Sequence, residues 1–217
     1  MNDGRLKSRG GRPARDEAPL IREKILAAAT DLFLGRGFGA TSIEAVAARA
    51  KIGKRTFYHR FRDKSALFRA VIERQLQRWL PQFDAAFEEP GPLETILARS
   101  ARRMLAMALE PEALALRRLL LAEAERFPEL VEIVIGEGAA KAIERIAALL
   151  AEATRTGQLQ VADPLFAATQ FQEMILSVPM RRGMGFGKPL SDAELDAWAE
   201  RSVALFLHGC GGPPTAR

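Results

Sequence analysis

The sequence predicts an all-α protein of about nine helices, an N-terminal three-helix helix-turn-helix unit joined by a long helix to a larger helical domain. Three observations predict it. Apolar residues recur at helical spacing along most of the chain, with no strand-like alternation and no internal repeat. Residues 41–61, TSIEAVAARAKIGKRTFYHRF, read as two short helices with a tight turn between them. Charge is also divided unevenly: residues 1–80 hold 18 Lys+Arg against 8 Asp+Glu, net +10, and the other 137 residues hold 14 against 19, net −5. A basic first third on a mildly acidic remainder assigns a polyanion to one part and something else to the other.

Composition narrows the classes further. At 217 residues the chain is long enough to bury a substantial core. No apolar run approaches a membrane span, and the basic N-terminus holds no apolar stretch of the kind a secretory signal needs. A single cysteine, Cys210, excludes an internal disulfide and suits a reducing cytoplasm, although a disulfide between subunits stays open. The two histidines, His59 and His208, stand far apart in the chain with no metal-ligand spacing around them. No nucleophile elbow is present. The glycine-spaced residues 183–188 place Pro189 where a phosphate loop needs Ser or Thr. Neither enzyme chemistry nor a cofactor is expected.

Taken in order, residues 1–18 are rich in glycine and charge and nearly free of apolar side chains, which predicts a disordered basic arm. Arg5, Lys7, Arg9, Arg12 and Arg15 suit the minor groove or the phosphate backbone, or else form a solvated tail. The helix-turn-helix unit is assigned to 19–66. Its first helix should run over 20–34, burying Ile21, Ile25, Ala28, Ala29, Leu32 and Phe33. Thr41 with Glu44 fits a capping box, and Ile43, Val46, Ala47 and Ala50 supply the apolar face of a second helix. The pattern breaks at 51–53, and Gly53 opens a third, with Phe57 and Phe61 on its inner face.

Asp63 is the predicted cap of a long fourth helix reaching about residue 87, and residues 88–92, EEPGP, form a linker. A fifth helix should stop near Glu110–Pro111, a sixth cover 114–127 and a seventh 128–156, with Gly136 and Gly138 inside it. Asp163 followed by Pro164 starts an eighth, and the capping box Ser191/Glu194 opens a ninth that ends at Gly209.

The third helix carries the chemistry. Lys54, Arg55 and His59 are candidate base readers, since cationic side chains pair with guanine edges. Ser42, Thr41, Thr56 and Tyr58 offer hydroxyls to phosphates.

Ile25–Ala29, Leu32–Phe33, Gly37–Phe38, Thr41–Ser42, Val46–Ala47, Lys54, Thr56–Phe57–Tyr58, Phe61, Lys64 and Leu67 resemble the amino-terminal domain of the TetR/AcrR family of bacterial regulators. The resemblance covers roughly fifty residues, from Leu20 to about Val71. Two positions depart from it: Lys51 stands where the turn commonly has glycine, and Gly53 where the helix commonly begins with serine. A lysine in a left-handed turn costs on the order of 1 kcal/mol, which a fold tolerates.

The resemblance implies a phosphate-holding role for Lys64, which is equally readable as a solvated surface charge, and a palindromic double-stranded operator. It also implies that residues 67–217 bind an effector and form a homodimer through the eighth and ninth helices. Phe127–Leu130 and Asp163–Pro164 resemble the AefR-like subgroup. The implied pocket would draw on Trp79, Phe83, Met104, Met107, Phe127, Phe166, Phe171 and Met174, each of which is equally readable as ordinary core. So apolar a lining points to a hydrophobic or amphipathic effector. A repressor released from DNA by such a ligand is the implied function. The alternative is an architectural DNA-binding protein with a solid second domain.

Overall fold

The structure, a computed structural model, describes residues 17–134 and 140–209. Among them are ten helices and no strand. They divide into two compact units, one ending at Leu67 and the other beginning at Phe68. The predicted basic arm, Gly136, Gly138 and Cys210 lie outside the described residues, except that the arm's last two residues open the first helix.

The first unit holds α1 (Glu17–Arg36), α2 (Ile43–Arg49), α3 (Lys54–Tyr58) and the first turn of α4 (Lys64–Glu88). Ile25, Ala29 and Phe33 of α1 are wholly buried, as the helical stripe predicts; Leu26, outside that stripe, is wholly buried too, and Ile21 is only half-buried. Phe38 folds back so that its ring lies 5.4 Å from Phe33. Phe57 meets Phe61 at 5.7 Å on the inner side of α3. Each such ring contributes about 1.5–3 kcal/mol by leaving water, which is much of what holds so small a unit together.

α2 begins one residue later than the expected capping box. Ser42 is the N-cap, its Oγ accepting from the Ala45 N–H at 3.1 Å. Thr41 is buried, and its hydroxyl donates inward to the carbonyls of Gly37 (2.8 Å) and Leu32 (3.1 Å). The chain leaving α1 exposes carbonyls with no helical partner, and a buried hydroxyl satisfies them.

The α2–α3 turn is a Schellman motif. Ile52 N–H donates to the Ala47 carbonyl and Lys51 N–H to that of Ala48, at 3.0 and 3.1 Å. Lys51 accordingly takes φ 56°, the one non-glycine with positive φ among the described residues. The expected left-handed lysine is there.

The second unit contains the rest of α4 with α5 (Leu93–Ala108), α6 (Pro111–Glu123), α7 (Pro128–Val134), α8 (Ala140–Arg155), α9 (Pro164–Gly183) and α10 (Asp192–His208). Pro111 does not stop a helix but starts α6, because a residue without an N–H costs nothing in a first turn. Of the helix expected over 128–156, α7 and α8 are described, and residues 135–139 between them lie outside the described residues. Asp163 caps α9 at Phe166 N–H, and Ser191 with Glu194 forms the predicted reciprocal box on α10.

The core of this unit joins Phe83 of α4, Leu97 and Met104 of α5, Ile146 and Leu150 of α8, Phe171 and Ile175 of α9, and Val203 of α10. Ala101, Ala168 and Ala199 are completely buried among them and let α5, α9 and α10 approach closely. Trp198 Nε1–H donates to the Ile175 carbonyl at 3.0 Å, tying α10 to α9. Arg102 of α5 is partly exposed and ties α5 to α10. It bonds Asp196 (3.1 Å) and Glu200 (2.5 Å) on α10.

Candidate nucleic-acid interface

α3 is amphipathic over barely more than one turn. Phe57 is inaccessible while its neighbour Tyr58 is 52% exposed, their rings edge-on at 5.5 Å. Arg55 and His59 are exposed and four residues apart, as are Lys54 and Tyr58, so two polar ridges run along the outer side. Thr56 is half-buried between them and the interior. A short helix with that outer face fits the width of a DNA major groove.

The side chains differ in how free they are. Arg55 makes no ion pair among the described residues. Lys54 Nζ lies 2.8 Å from Glu44 Oε1 of α2. The hydrogen bond to Lys54 holds the Glu44 carboxyl below its ordinary value, and the same bond raises the Lys54 ammonium. Reading a base with Lys54 therefore means breaking or sharing that bond. Ser42 is exposed; its Oγ accepts the cap bond, and its O–H is shared with the Glu44 carboxylate, so contact with a phosphate means breaking or sharing that bond too. On the far side, Arg49 donates to Asp31 at 2.6 Å and fastens α2 to α1.

Two expected contacts are corrected. Thr41 is buried, with its hydroxyl committed to the α1–α2 turn, so it presents nothing to DNA. Lys64, expected to hold phosphate, turns inward: its ammonium donates to the carbonyls of Phe38 (2.8 Å), Thr41 (3.0 Å) and Gly39 (3.3 Å) and sits 4.4 Å above the Phe38 ring. Three carbonyls converging at the turn outbid a solvated position for the cation. The α4 terminus itself is capped by Asp63, whose Oδ1 accepts from Ala66 N–H at 2.7 Å.

Arg60, read as part of the third helix's cationic outer side, was not among the expected contacts. Arg60 lines a cleft with Ile21, Arg55, Thr56 and His59, and its Nε is buried with no partner. The available signal was its place four residues after Thr56, which puts it on the same side of the helix.

The expected effector residues are only partly gathered. Phe83, Met104 and Phe171 share one core, and Met107 packs against it. Phe166 is 61% exposed and cannot line an interior site. Met174 instead faces a groove on α9 and α10, with Leu190, Trp198 and Leu205.

Comparison with known proteins bears on both units. Residues 25–71 match the family described as bacterial regulatory proteins, tetR family, and residues 95–209 match the AefR-like transcriptional repressor C-terminal domain. The transcriptional regulator UidR of Escherichia coli (strain K12) is 36% identical over 72 residues, 33% of this chain and 37% of UidR. The chain thus aligns with little more than a third of that curated relative. Solved structures align more fully. A TetR-family transcriptional regulator from Mesorhizobium loti MAFF303099 is 32% identical with a TM-score of 0.76, covering 87% of this chain and 96% of that one. The flavonoid-responsive regulator FrrA is 28% identical with a TM-score of 0.73, covering 87% and 95%.

Proposed function

The chain belongs to the TetR family of bacterial regulatory proteins, a family of DNA-binding regulators rather than enzymes, and on that premise we propose a homodimeric repressor of a palindromic operator, released by a small ligand. The observation that carries the DNA-facing half is the outer side of α3, where Arg55, His59, Lys54 and Tyr58 are exposed over a buried Phe57. Repression is supported by the description of the matched C-terminal domain, an AefR-like transcriptional repressor. Such a protein works where the chromosome is, in the cytoplasm.

Dimerisation is supported by the apolar character of the last two helices. Leu165, Phe166 and Leu205 are exposed, and the groove with Met174, Leu190 and Trp198 lies on the same pair of helices. Exposed apolar clusters of this kind mark association surfaces. A two-fold dimer presents two copies of α3 to successive half-sites, which is what a palindrome matches. An effector that is apolar or amphipathic is supported by the aromatic and Met-rich interior and by the similarity to a flavonoid-responsive regulator. Release requires that the ligand bind one state of the protein better than the other.

Selection of duplexes from random DNA at near-physiological salt tests the reading. A palindromic consensus is the expected result. Salt-sensitive binding without sequence preference would overturn it in favour of an architectural protein.

A further inference from the structure

A carboxylate stands among the cations of the α3 surface. Glu44, in the first turn of α2, lies 2.8 Å from the ammonium of Lys54 at the first position of α3, and both side chains are more than half exposed. Residues 1–80 carry a net charge of +10, so an acid on this face runs against its surroundings, and a backbone phosphate repels it. An exposed ion pair contributes little to stability, so fastening α2 to α3 is a weak use for it. Glu44 also accepts from the Ser42 hydroxyl, and the phenol of Tyr58 follows one helical turn after Lys54. Along the exposed edge of the two helices, one acceptor is thus held among donors.

Neither member of the pair is used up by the other. An ammonium has three N–H groups, and a carboxylate has about four lone-pair sites, so each keeps bonding capacity toward the groove. Base edges there offer acceptors at guanine N7 and O6, adenine N7 and thymine O4, and donors at cytosine N4 and adenine N6. In a G·C pair, guanine O6 and cytosine N4 stand side by side, joined by the pair's own hydrogen bond of about 2.9 Å. A donor and an acceptor held 2.8 Å apart match that edge. Turned round, the same base pair sets the carboxylate against two guanine acceptors. A T·A pair has its O4 and N6 in the right order, but a methyl stands where guanine has N7, and adenine N7 lies beside the carboxylate. One orientation of G·C is the best match.

We propose that Glu44 and Lys54 read one G·C pair as a unit, Lys54 donating to guanine O6 and N7 while Glu44 accepts from cytosine N4–H. Glu44 is then a specificity-determining residue supplied by α2, outside the recognition helix. The inference rests on the operator-binding reading above and names one base pair of that operator.

Duplexes selected from random DNA at near-physiological salt by the full-length protein, by Glu44→Ala and by Glu44→Gln test it. The expected parental consensus contains a G·C pair at which Glu44→Ala no longer discriminates. Glu44→Gln should admit T·A at that pair, because a glutamine amide pairs with adenine, and the other positions should keep their preference. N4-methylcytosine, placed at each consensus cytosine in turn, keeps Watson–Crick pairing but replaces the major-groove N–H. At one cytosine it should weaken the parent about tenfold and leave Glu44→Ala unaffected. A consensus that Glu44→Ala shares at every position overturns the proposal while the operator-binding reading stands. So does N4-methylcytosine that weakens parent and variant equally, or that weakens the parent at no cytosine. A parent without any consensus overturns both.

Discussion

Replacing Lys64 separates two roles that sequence alone could not. A phosphate-holding lysine, when lost, lowers the salt dependence of DNA binding by about one charge, with a slope change near 0.9. The structure gives Lys64 a different task. Its ammonium makes two good hydrogen bonds to carbonyls, at 2.8 and 3.0 Å, a longer one at 3.3 Å, and a contact 4.4 Å above an aromatic ring. Bonds with a charged donor contribute about 1.5–3 kcal/mol each, and a cation over a ring about 0.5–1. Water reaches part of this site, so a net loss of about 3 kcal/mol is expected for Lys64→Ala. That is roughly a hundredfold faster exchange of the amide protons of α1 and α2 when the unit opens. Lys64→Met keeps the stem over Phe38 and should fall between the two. Affinity should be measured from 50 to 200 mM salt at a temperature where both variants remain folded, and the slope should match the parent's. Parental amide exchange together with a slope reduced by one charge would refute the inward role.

Other outcomes follow from the same geometry. Arg55→Ala should cost about 1–3 kcal/mol on the preferred operator and relax selection at one base pair, whereas equal weakening on every duplex would exclude base reading. Glu44→Gln releases Lys54 and removes a negative charge beside it, so DNA binding should tighten a few-fold at low salt. Because the folded Glu44 carboxyl is depressed, its pair with Lys54 persists through neutral pH and is lost only as pH falls through that lowered value. A carboxyl titration by NMR should show a midpoint below the ordinary 4.5, returning toward it in Lys54→Ala. Lys51→Gly relieves the left-handed lysine and should raise the stability of the first unit by about 1 kcal/mol in urea titrations. Trp198→Phe removes a made bond and should cost about 1 kcal/mol, while Trp79→Phe removes an unmade one and should be nearly neutral in stability.

Helix ends were legible wherever the signal is local. Asp63, Asp163 and the Ser191/Glu194 box all cap as read, because each side chain bonds a backbone group three residues away. The left-handed turn at Lys51 was expected from the resemblance, whose turn commonly has glycine at that position. Thr41 and Ser42 were harder. Both are hydroxyls at the right place, and which one caps depends on how the chain leaves α1, a matter of tertiary packing. Lys64 was opaque, since its partners lie 23 to 26 residues earlier. In α9, large apolar residues occur all round the helix, so periodicity could not distinguish the exposed Phe166 from the buried Phe171. The unpaired Trp79 N–H on α4 was equally invisible, because a tryptophan in sequence says nothing about what fails to reach it.

The chain contains one tyrosine and two tryptophans, and the fold sorts them. Tyr58 stands half-exposed on the outer side of α3, while Trp79 and Trp198 both belong to the other unit. The protein therefore carries an ultraviolet reporter for each of the two tasks proposed for it. On the proposed reading, docking on a duplex should perturb the phenol, and an effector bound in the second unit should perturb an indole. Order of events can then be timed in the unlabelled protein, by mixing it with DNA and ligand and asking which chromophore responds first.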